Sequence, residues 1–342
     1  VDTLHFESPS VEGLVSVVIP TRNGDAYIGA ALDSIAAQQY DRWEVLVIED
    51  GSHGETESIV RGFADAHPGH RVHFQRNSES RGAAYTRNRC FELAAGQFVA
   101  FLDCDDRWLP SHLHACVSAL NDSGDDVAYS AAAMFEDGTD HMLGFWGPNH
   151  DEVNRFPHSL LGRSFVTPSA TVVRRSVIED VGAWRTDFRF CEDADFMLRA
   201  AKLAKRFRCV GGVHCLYRKS HQGATTQKIA GTIEEYATLS SWHLDMPGGS
   251  DRQARRAVAA SYAVSAMMHA KNHTQADPSA TRSRAAPLYL QAWRLRPGRI
   301  GYLLKAARYA ATKGWSGNDN LPAPPRGVAP AASSVPPARA AA

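Results

Sequence analysis

Phe98-Val99-Ala100-Phe101-Leu102 runs straight into Asp103-Cys104-Asp105-Asp106, and the reading of this stretch decides the fold. Five consecutive apolar residues describe a fully buried strand. Three carboxylates at its end need a purpose, because an unpaired carboxylate withdrawn from water is costly. Asp103 and Asp105 stand two apart, so a turn past the strand could offer both to one hard cation such as Mg²⁺ or Mn²⁺. Such a cation also takes phosphate oxygens, and the site would then hold a nucleotide diphosphate. The plainer reading is that Asp105 or Asp106 caps the next helix and Asp103 serves a loop hydrogen bond.

Working outward from this strand, similar units precede it. Leu14-Val15-Ser16-Val17-Val18-Ile19 is a β-branched strand stopped by Pro20-Thr21-Arg22-Asn23-Gly24, and an amphipathic helix carries Ile28, Ala31, Leu32 and Ile35 on one face. Trp43 to Ile48 is a second strand ending in Glu49-Asp50-Gly51-Ser52, with a helix from Glu55 to Ala66; Val72 opens a third, with a helix from Gly82 to Ala95. Strand starts at 14, 43, 72 and 98 leave room for one returning helix each, which predicts a helix-covered parallel sheet. Ligands bind such sheets beyond the carboxyl ends of the strands, where Pro20-Thr21, Asp50 and Asp103 to Asp106 all fall. The first turn lacks GxGxxG and the chain lacks GxxxxGK[ST], so a pyrophosphate would rest mainly on metal and basic side chains. Arg81 and Arg87 lie in the right segment, although Arg81 alone reads as a solvated helix charge.

Composition describes a globular protein: 342 residues, 44% hydrophobic, with 37 Lys plus Arg balancing 37 Asp plus Glu. The balance is uneven along the chain. From residue 251 onward 14 basic residues face 3 acidic ones, against 23 and 34 before it, and no nucleic-acid partner is expected. Six scattered cysteines without CxxC pairs read as reduced thiols. No apolar run is long enough to span a bilayer, and Val1 to Glu7 has no signal-peptide pattern, so a cytoplasmic location is expected.

Taken together, Val15-Ser16-Val17-Val18-Ile19-Pro20-Thr21-Arg22-Asn23, Val47-Ile48-Glu49-Asp50-Gly51-Ser52, Gly82-Ala83-Ala84-Tyr85-Thr86-Arg87-Asn88 and Phe101-Leu102-Asp103-Cys104-Asp105-Asp106 resemble the family 2 glycosyltransferases in order and spacing, over roughly residues 14–222. The resemblance implies a GT-A fold: a mostly parallel sheet flanked by helices, here with a helical C-terminal region. It implies that Pro20 and Thr21 line the nucleoside, that Asp50 bonds the base, and that Arg87 lies near the diphosphate. Asp103 and Asp105 would form the metal and sugar-phosphate site with Mn²⁺ or Mg²⁺, and Asn23 and Cys104 fall among the substrate-binding positions. Glu49 stands where the family often has an aspartate. Gln39 to Trp43 fits the QxxRW pattern of processive members but precedes the catalytic carboxylates, so it reads as a chance match and the enzyme as non-processive.

Phe190-Cys191-Glu192-Asp193-Ala194-Asp195 is a second acidic cluster, at the start of a helix. Capping is the plain reading. The functional one resembles the family's ED motif, with Asp193 as the base that deprotonates the acceptor, Glu192 binding the acceptor and Asp195 structural. First-turn amides are expected to keep Asp193 ionised. Residues 136–168 show no clear period and read as either an acceptor loop or a plain connection. Val213 to His221 reads as a strand ending in basic residues, and His221 is a candidate third metal ligand, with a surface role as its alternative.

Beyond Thr232 the pattern is helical, and Ile300, Leu303, Leu304, Ala307 and Ala311 share one face. Packing on the catalytic domain is the first expectation for that face, and peripheral contact with the inner membrane surface the second. Three regions follow: a catalytic domain over 1–222 (nucleotide-binding about 14–106, acceptor-binding about 107–222), a helical region over 223–314, and a disordered Pro/Ala-rich tail over 315–342. The implied activity is inverting transfer from a UDP- or dTDP-sugar to a saccharide or lipid-linked acceptor in cell-surface glycan synthesis. A nucleotidyltransferase and a non-catalytic sugar-nucleotide-binding module are the rivals.

Overall fold

The computed structural model describes residues 4–219, 229–246, 252–271 and 285–310. The chain opens with β1 (Val11–Thr21), α1 (Ile28–Ala36), β2 (Trp43–Glu49), α2 (Thr56–Ala66), β3 (Val72–Arg76), α3 (Ala83–Leu93) and β4 (Gly96–Phe101). These strands lie side by side in the order β3-β2-β1-β4, all parallel, with Val17 beside both Val45 and Ala100. Successive side chains of a strand point to opposite faces. Val15, Val17 and Ile19 therefore join Leu32 and Ile35 of α1 in one core, while Val18 joins Cys90 and Phe91 of α3 in the other. Burial on both faces is the reason for the unbroken apolar runs.

The sheet continues with β8 (Thr171–Arg174), β6 (Val127–Glu136), β9 (Phe207–Lys219) and β5 (Arg107–Trp108), and β7 (Met142–Trp146) pairs with β6. Its first four strands are parallel, as expected; from β8 onward antiparallel pairs mix in, because β6 turns back into β7 within five residues and no helix intervenes. β7 lies in the segment without a period. Met142, Leu143 and Phe145 are all exposed, so neither face of the strand is buried enough to impose an alternation.

The remaining helices are α4 (His112–Ser123), α5 (His150–Asn154), α6 (Arg175–Val181), α7 (Glu192–Lys202), α8 (Ile229–Trp242), α9 (Arg252–Lys271), α10 (Ala285–Leu295) and α11 (Ile300–Ala310). Tyr236, Leu239, Val258, Tyr262 and Leu288 bury into the same core as Phe196 and Phe91, so the helical region is packed against the sheet. α11 departs from the packing expectation. Its inner side is Tyr302, stacked on Tyr289 at 6.4 Å, and Ala306; the apolar stripe faces out, with Ile300 58% and Leu304 64% exposed. His221, Ala311 and the tail over 315–342 lie outside the described residues.

Within the QxxRW match, Arg42 donates to the Glu12 carbonyl at 2.7 Å and Trp43 stacks on His70 at 3.5 Å. Both brace the strand starts, at the end of the sheet away from the carboxylates. The six cysteines are unbridged. Among the described residues no helix is long and apolar enough to cross a membrane.

Candidate active site

A cleft of about 1230 Å³ opens at the carboxyl ends of β1, β2 and β4. Its first wall is the turn after β1. Asn23 adopts φ 52°, a conformation asparagine tolerates better than most residues. Gly24 is required, since a Cβ there would lie 2.2 Å from Thr21 Oγ1 and 3.1 Å from Cys104 Sγ. The Cys104 thiol thus packs beneath this turn, and burial pushes it up to about 12, so it stays neutral. Asn23 N–H donates to Ser52 Oγ at 2.9 Å, and Ser52 donates to Glu49 at 2.7 Å. Glu49 itself is buried against Arg76 at 2.8 Å, a structural partner outside the cleft lining.

Asp50 lines the cleft but is 4% exposed. Its oxygens accept from Asn77 Nδ2, Ser80 Oγ, Arg81 N–H and Gly82 N–H at 2.7–2.9 Å. Burial raises its carboxyl, and these donors outweigh burial and hold it below the usual range. Four donors fill the capacity of one carboxylate, so a base contact must displace one of them. Asp50 here fastens the loop that starts α3. Arg81 is drawn into the same device through its N–H, with its guanidinium 3.8 Å above the Tyr85 ring.

At the floor, Arg87 is almost fully buried between the two acidic motifs. Its guanidinium bonds Asp103 Oδ1 on one side and lies 3.4 Å from Glu192 Oε1 on the other, over the Trp184 ring at 4.6 Å. Arg87 therefore neutralises both carboxylates, which is more than proximity to a diphosphate. Asp105 faces the same cleft. Asp106 does not: it is fully buried, accepts from Arg218 N–H at 2.9 Å, and burial beside Asp105 and Asp103 drives its carboxyl well above the usual range. None of these aspartates caps α4, whose N-cap is Ser111, so the capping alternative falls.

Arg218, which the sequence reading did not single out, donates to the Asp105 carbonyl at 2.7 Å and to Asp137 at 2.8 Å, sandwiched between Tyr27 and Phe135. The basic run at the end of β9 was its only signal. Among the described residues no three His, Cys, Asp or Glu side chains form a metal cage. Asp103 and Asp105 nonetheless fit a hard cation, because Mg²⁺ and Mn²⁺ are commonly held by one or two carboxylates and complete their shells with substrate phosphates and water.

Asp193 sits at the start of α7, with Oδ1 accepting from the Ala194 N–H at 2.7 Å. Burial, followed by the neighbouring Glu192, pushes its carboxyl up to about 7. This corrects the expectation that helix amides keep it ionised: only one amide reaches it, and desolvation outweighs that bond. The residue is half-buried at the border of the cleft. Asp195 points away from the cleft, fully buried between Arg199 at 2.7 Å and Arg185 at 3.3 Å, a structural triad.

The far wall was foreseen only in segment 136–168, as one of its two readings, and not in the helical region. Trp146, Arg163, Phe188 and Phe190 stand on one side, and Ile233 and Tyr236 of α8 with Ala257, Ala260, Ser261 and Val264 of α9 complete it. The last four recur at 0, 3, 4 and 7, one helical face. Segment 136–168 thus contributes cleft residues, and the helical region supplies part of the cleft itself.

The pattern described as "Glycosyl transferase family 2" matches residues 16–182, the span that holds the β1 turn, Asp50, Arg87 and Asp103 to Asp105. Residues 16–182 form a family 2 glycosyltransferase domain. Its family members typically work with a divalent metal. The UDP-Glc:alpha-D-GlcNAc-diphosphoundecaprenol beta-1,3-glucosyltransferase of Escherichia coli is 36% identical over 107 residues, 31% of this chain and 41% of that enzyme. The amylovoran biosynthesis glycosyltransferase AmsB of Erwinia amylovora is 28% identical over 201 residues, 56% of this chain and 65% of the relative. The chain thus spans two fifths to two thirds of the length of these relatives. Among solved structures, S. aureus TarS residues 1–349 in complex with UDP-GlcNAc superposes with a TM-score of 0.63 at 17% identity, covering 86% of this chain and 91% of that one. A mannosyltransferase of Pyrobaculum calidifontis with GDP-Man and Mn²⁺ follows at 0.53 and 19%, covering 88% of each. These likenesses bear on the fold, which is of the GT-A type.

Proposed function

We propose that this protein transfers a sugar, with inversion, from a nucleotide-diphosphate sugar to an acceptor hydroxyl in cell-surface glycan synthesis. The observation that carries the reading is that Asp193 and the Asp103/Asp105 pair border one cleft, their motifs joined by the buried Arg87. UDP- and dTDP-sugars are the donors of choice, as relatives with UDP-linked donors suggest. Pro20, Thr21 and Asn23 offer the wall for the nucleoside, and Asp50 the acceptor for a base N–H once it releases one loop donor.

In the transfer step the acceptor oxygen forms its bond to the anomeric carbon while its proton passes to an Asp193 oxygen. The bond from that carbon to the diphosphate oxygen breaks on the opposite face and leaves its electron pair on the diphosphate, so a single displacement inverts the centre. A carboxyl near 7 suits this task, since a general base works best with its affinity for protons near the ambient pH. Glu192 orients the acceptor and, through its charge, sustains that affinity. A Mn²⁺ or Mg²⁺ held by Asp103 and Asp105 would supply charge neutralisation at the departing diphosphate. Arg87 keeps the carboxylates from repelling one another and from drifting out of position.

The far wall, rich in aromatic and small apolar side chains, suits a saccharide face or the carrier of a lipid-linked acceptor. A lipid-linked acceptor would bring the protein to the inner membrane face as a peripheral protein. The test is a thermal-shift panel of UDP, dTDP, GDP and CMP with and without Mn²⁺, followed by transfer assays with the stabilising donor class. Stabilisation by one diphosphate that Mn²⁺ strengthens and Asp105→Asn weakens supports the reading. No shift from any nucleotide would sink it.

A further inference from the structure

α11 turns its apolar stripe away from the protein. Ile300 and Leu304 are one turn apart and mostly exposed, Leu303 and Ala307 extend the same face, and the exposed Arg299 and Arg308 lie on its two sides, while the Lys305 ammonium turns back over the Tyr289 ring at 5.4 Å. The helix holds to the body through Tyr302 and Ala306 on its other side. The charge around it is one-sided: across α9 and residues 285–310 the sequence has nine Lys or Arg and no Asp or Glu. On α9, Arg252, Arg255 and Arg256 are exposed, as is Met267. The acidic residues are concentrated elsewhere, with 34 of 37 before residue 251.

We propose that the outward face of α11 docks on an anionic lipid surface, with Ile300, Leu303 and Leu304 entering the boundary between headgroups and chains and the flanking cations on the headgroups. An apolar face rimmed by Lys and Arg is the pattern of a helix that lies in the plane of such an interface. At 11 residues α11 is about 16 Å long, too short to span a bilayer. A second copy of the chain is a poor occupant, because two basic faces would meet like charge with like. The tail after α11 is no better, since residues 311–342 carry Lys313, Arg326 and Arg339 against the single Asp319. Docking does not depend on the transfer chemistry, and the two fail separately.

The experiment is flotation of the full chain with phosphatidylcholine vesicles, with and without phosphatidylglycerol, at low and high salt. The expected result is capture by the anionic vesicles alone, weakened by salt through screening. The double variant Ile300→Glu/Leu304→Glu and the pair Arg299→Glu/Arg308→Glu should each lose about tenfold or more of that capture, whereas Ile300→Leu/Leu304→Ile should retain it. A cooperative thermal melt without added nucleotide, unchanged in all of them, shows that each variant is folded. Equal capture by neutral vesicles, no capture of the wild-type chain, or undiminished capture of the double variant overturns the proposal. So does a wild-type dimer in sedimentation that the Glu pair dissociates, which assigns the face to a second copy.

Discussion

The floor of the cleft and the outer face of α11 handle charge in opposite ways. At the floor every acidic motif is met inside the molecule: Arg87 serves Asp103 and Glu192, Arg199 and Arg185 serve Asp195, and Arg218 reaches Asp106 and Asp137. The helices α9, α10 and α11 carry no Asp or Glu of their own to pair with their cations. A buried carboxylate must be compensated locally or neutralised, so the floor is over-determined by neighbours. Exposed cations such as Arg252, Arg255 and Arg256 keep their hydration and remain open to a partner. The first arrangement fixes a geometry, and the second leaves a surface.

The largest expected effect tests whether the floor's geometry serves chemistry. Asp193→Asn should lower transfer by about 10²–10⁴-fold, the usual worth of a positioned base. The UDP-induced melting shift should persist, measured beside the rate. Loss of both together would mean that Asp193 holds the cleft together and does no proton transfer.

Next comes the compensation itself. Arg87→Met leaves Asp103 and Glu192 facing each other unneutralised and should cost about 3 kcal/mol in urea denaturation. Arg87→Lys should restore only part, because one ammonium cannot fork to two carboxylates. A cost within the error of the measurement would break the contrast drawn above.

The pH dependence sharpens it. The Asp193 carboxyl is raised from 3.8 to about 7 in the fold, so its protonated form contributes stability at low pH that is lost as pH rises through about 7. An asparagine does not titrate. The Asp193→Asn variant should therefore gain on the wild type as pH rises from 5 to 8, by about 3 °C in melting temperature, read by calorimetry. In the wild type, transfer should rise with pH through the same range, and Glu192→Gln should move that limb toward acid.

The smallest effect lies on α11. Ile300→Glu/Leu304→Glu should change stability by about 0.5 kcal/mol or less and leave transfer to a water-soluble acceptor untouched, since both side chains are already in water. A large loss in either would show that the stripe packs against something within the chain.

Much of the first half was legible because its signals are local. A strand buried on both faces must be apolar throughout, and the carboxylates that close β4 and open α7 mark where backbone meets cleft; strand starts read at 14, 43, 72 and 98 fall within three residues of those observed. The hairpin of β6 and β7 escaped because an exposed edge strand imposes no alternation. Arg218 and the α9 wall escaped because they enter the site from elements remote in sequence.

By itself, then, the sequence determined the parallel four-strand beginning, the acidic motifs and the uneven charge of the two ends, since each follows from neighbouring residues. Only the tertiary structure decided that Arg87 bridges Asp103 and Glu192, that Asp50 is occupied by its own loop, that Asp193 is raised near 7, and that the stripe of α11 faces outward. Each of these depends on what burial brings beside a side chain, and burial is set by the packing of distant segments.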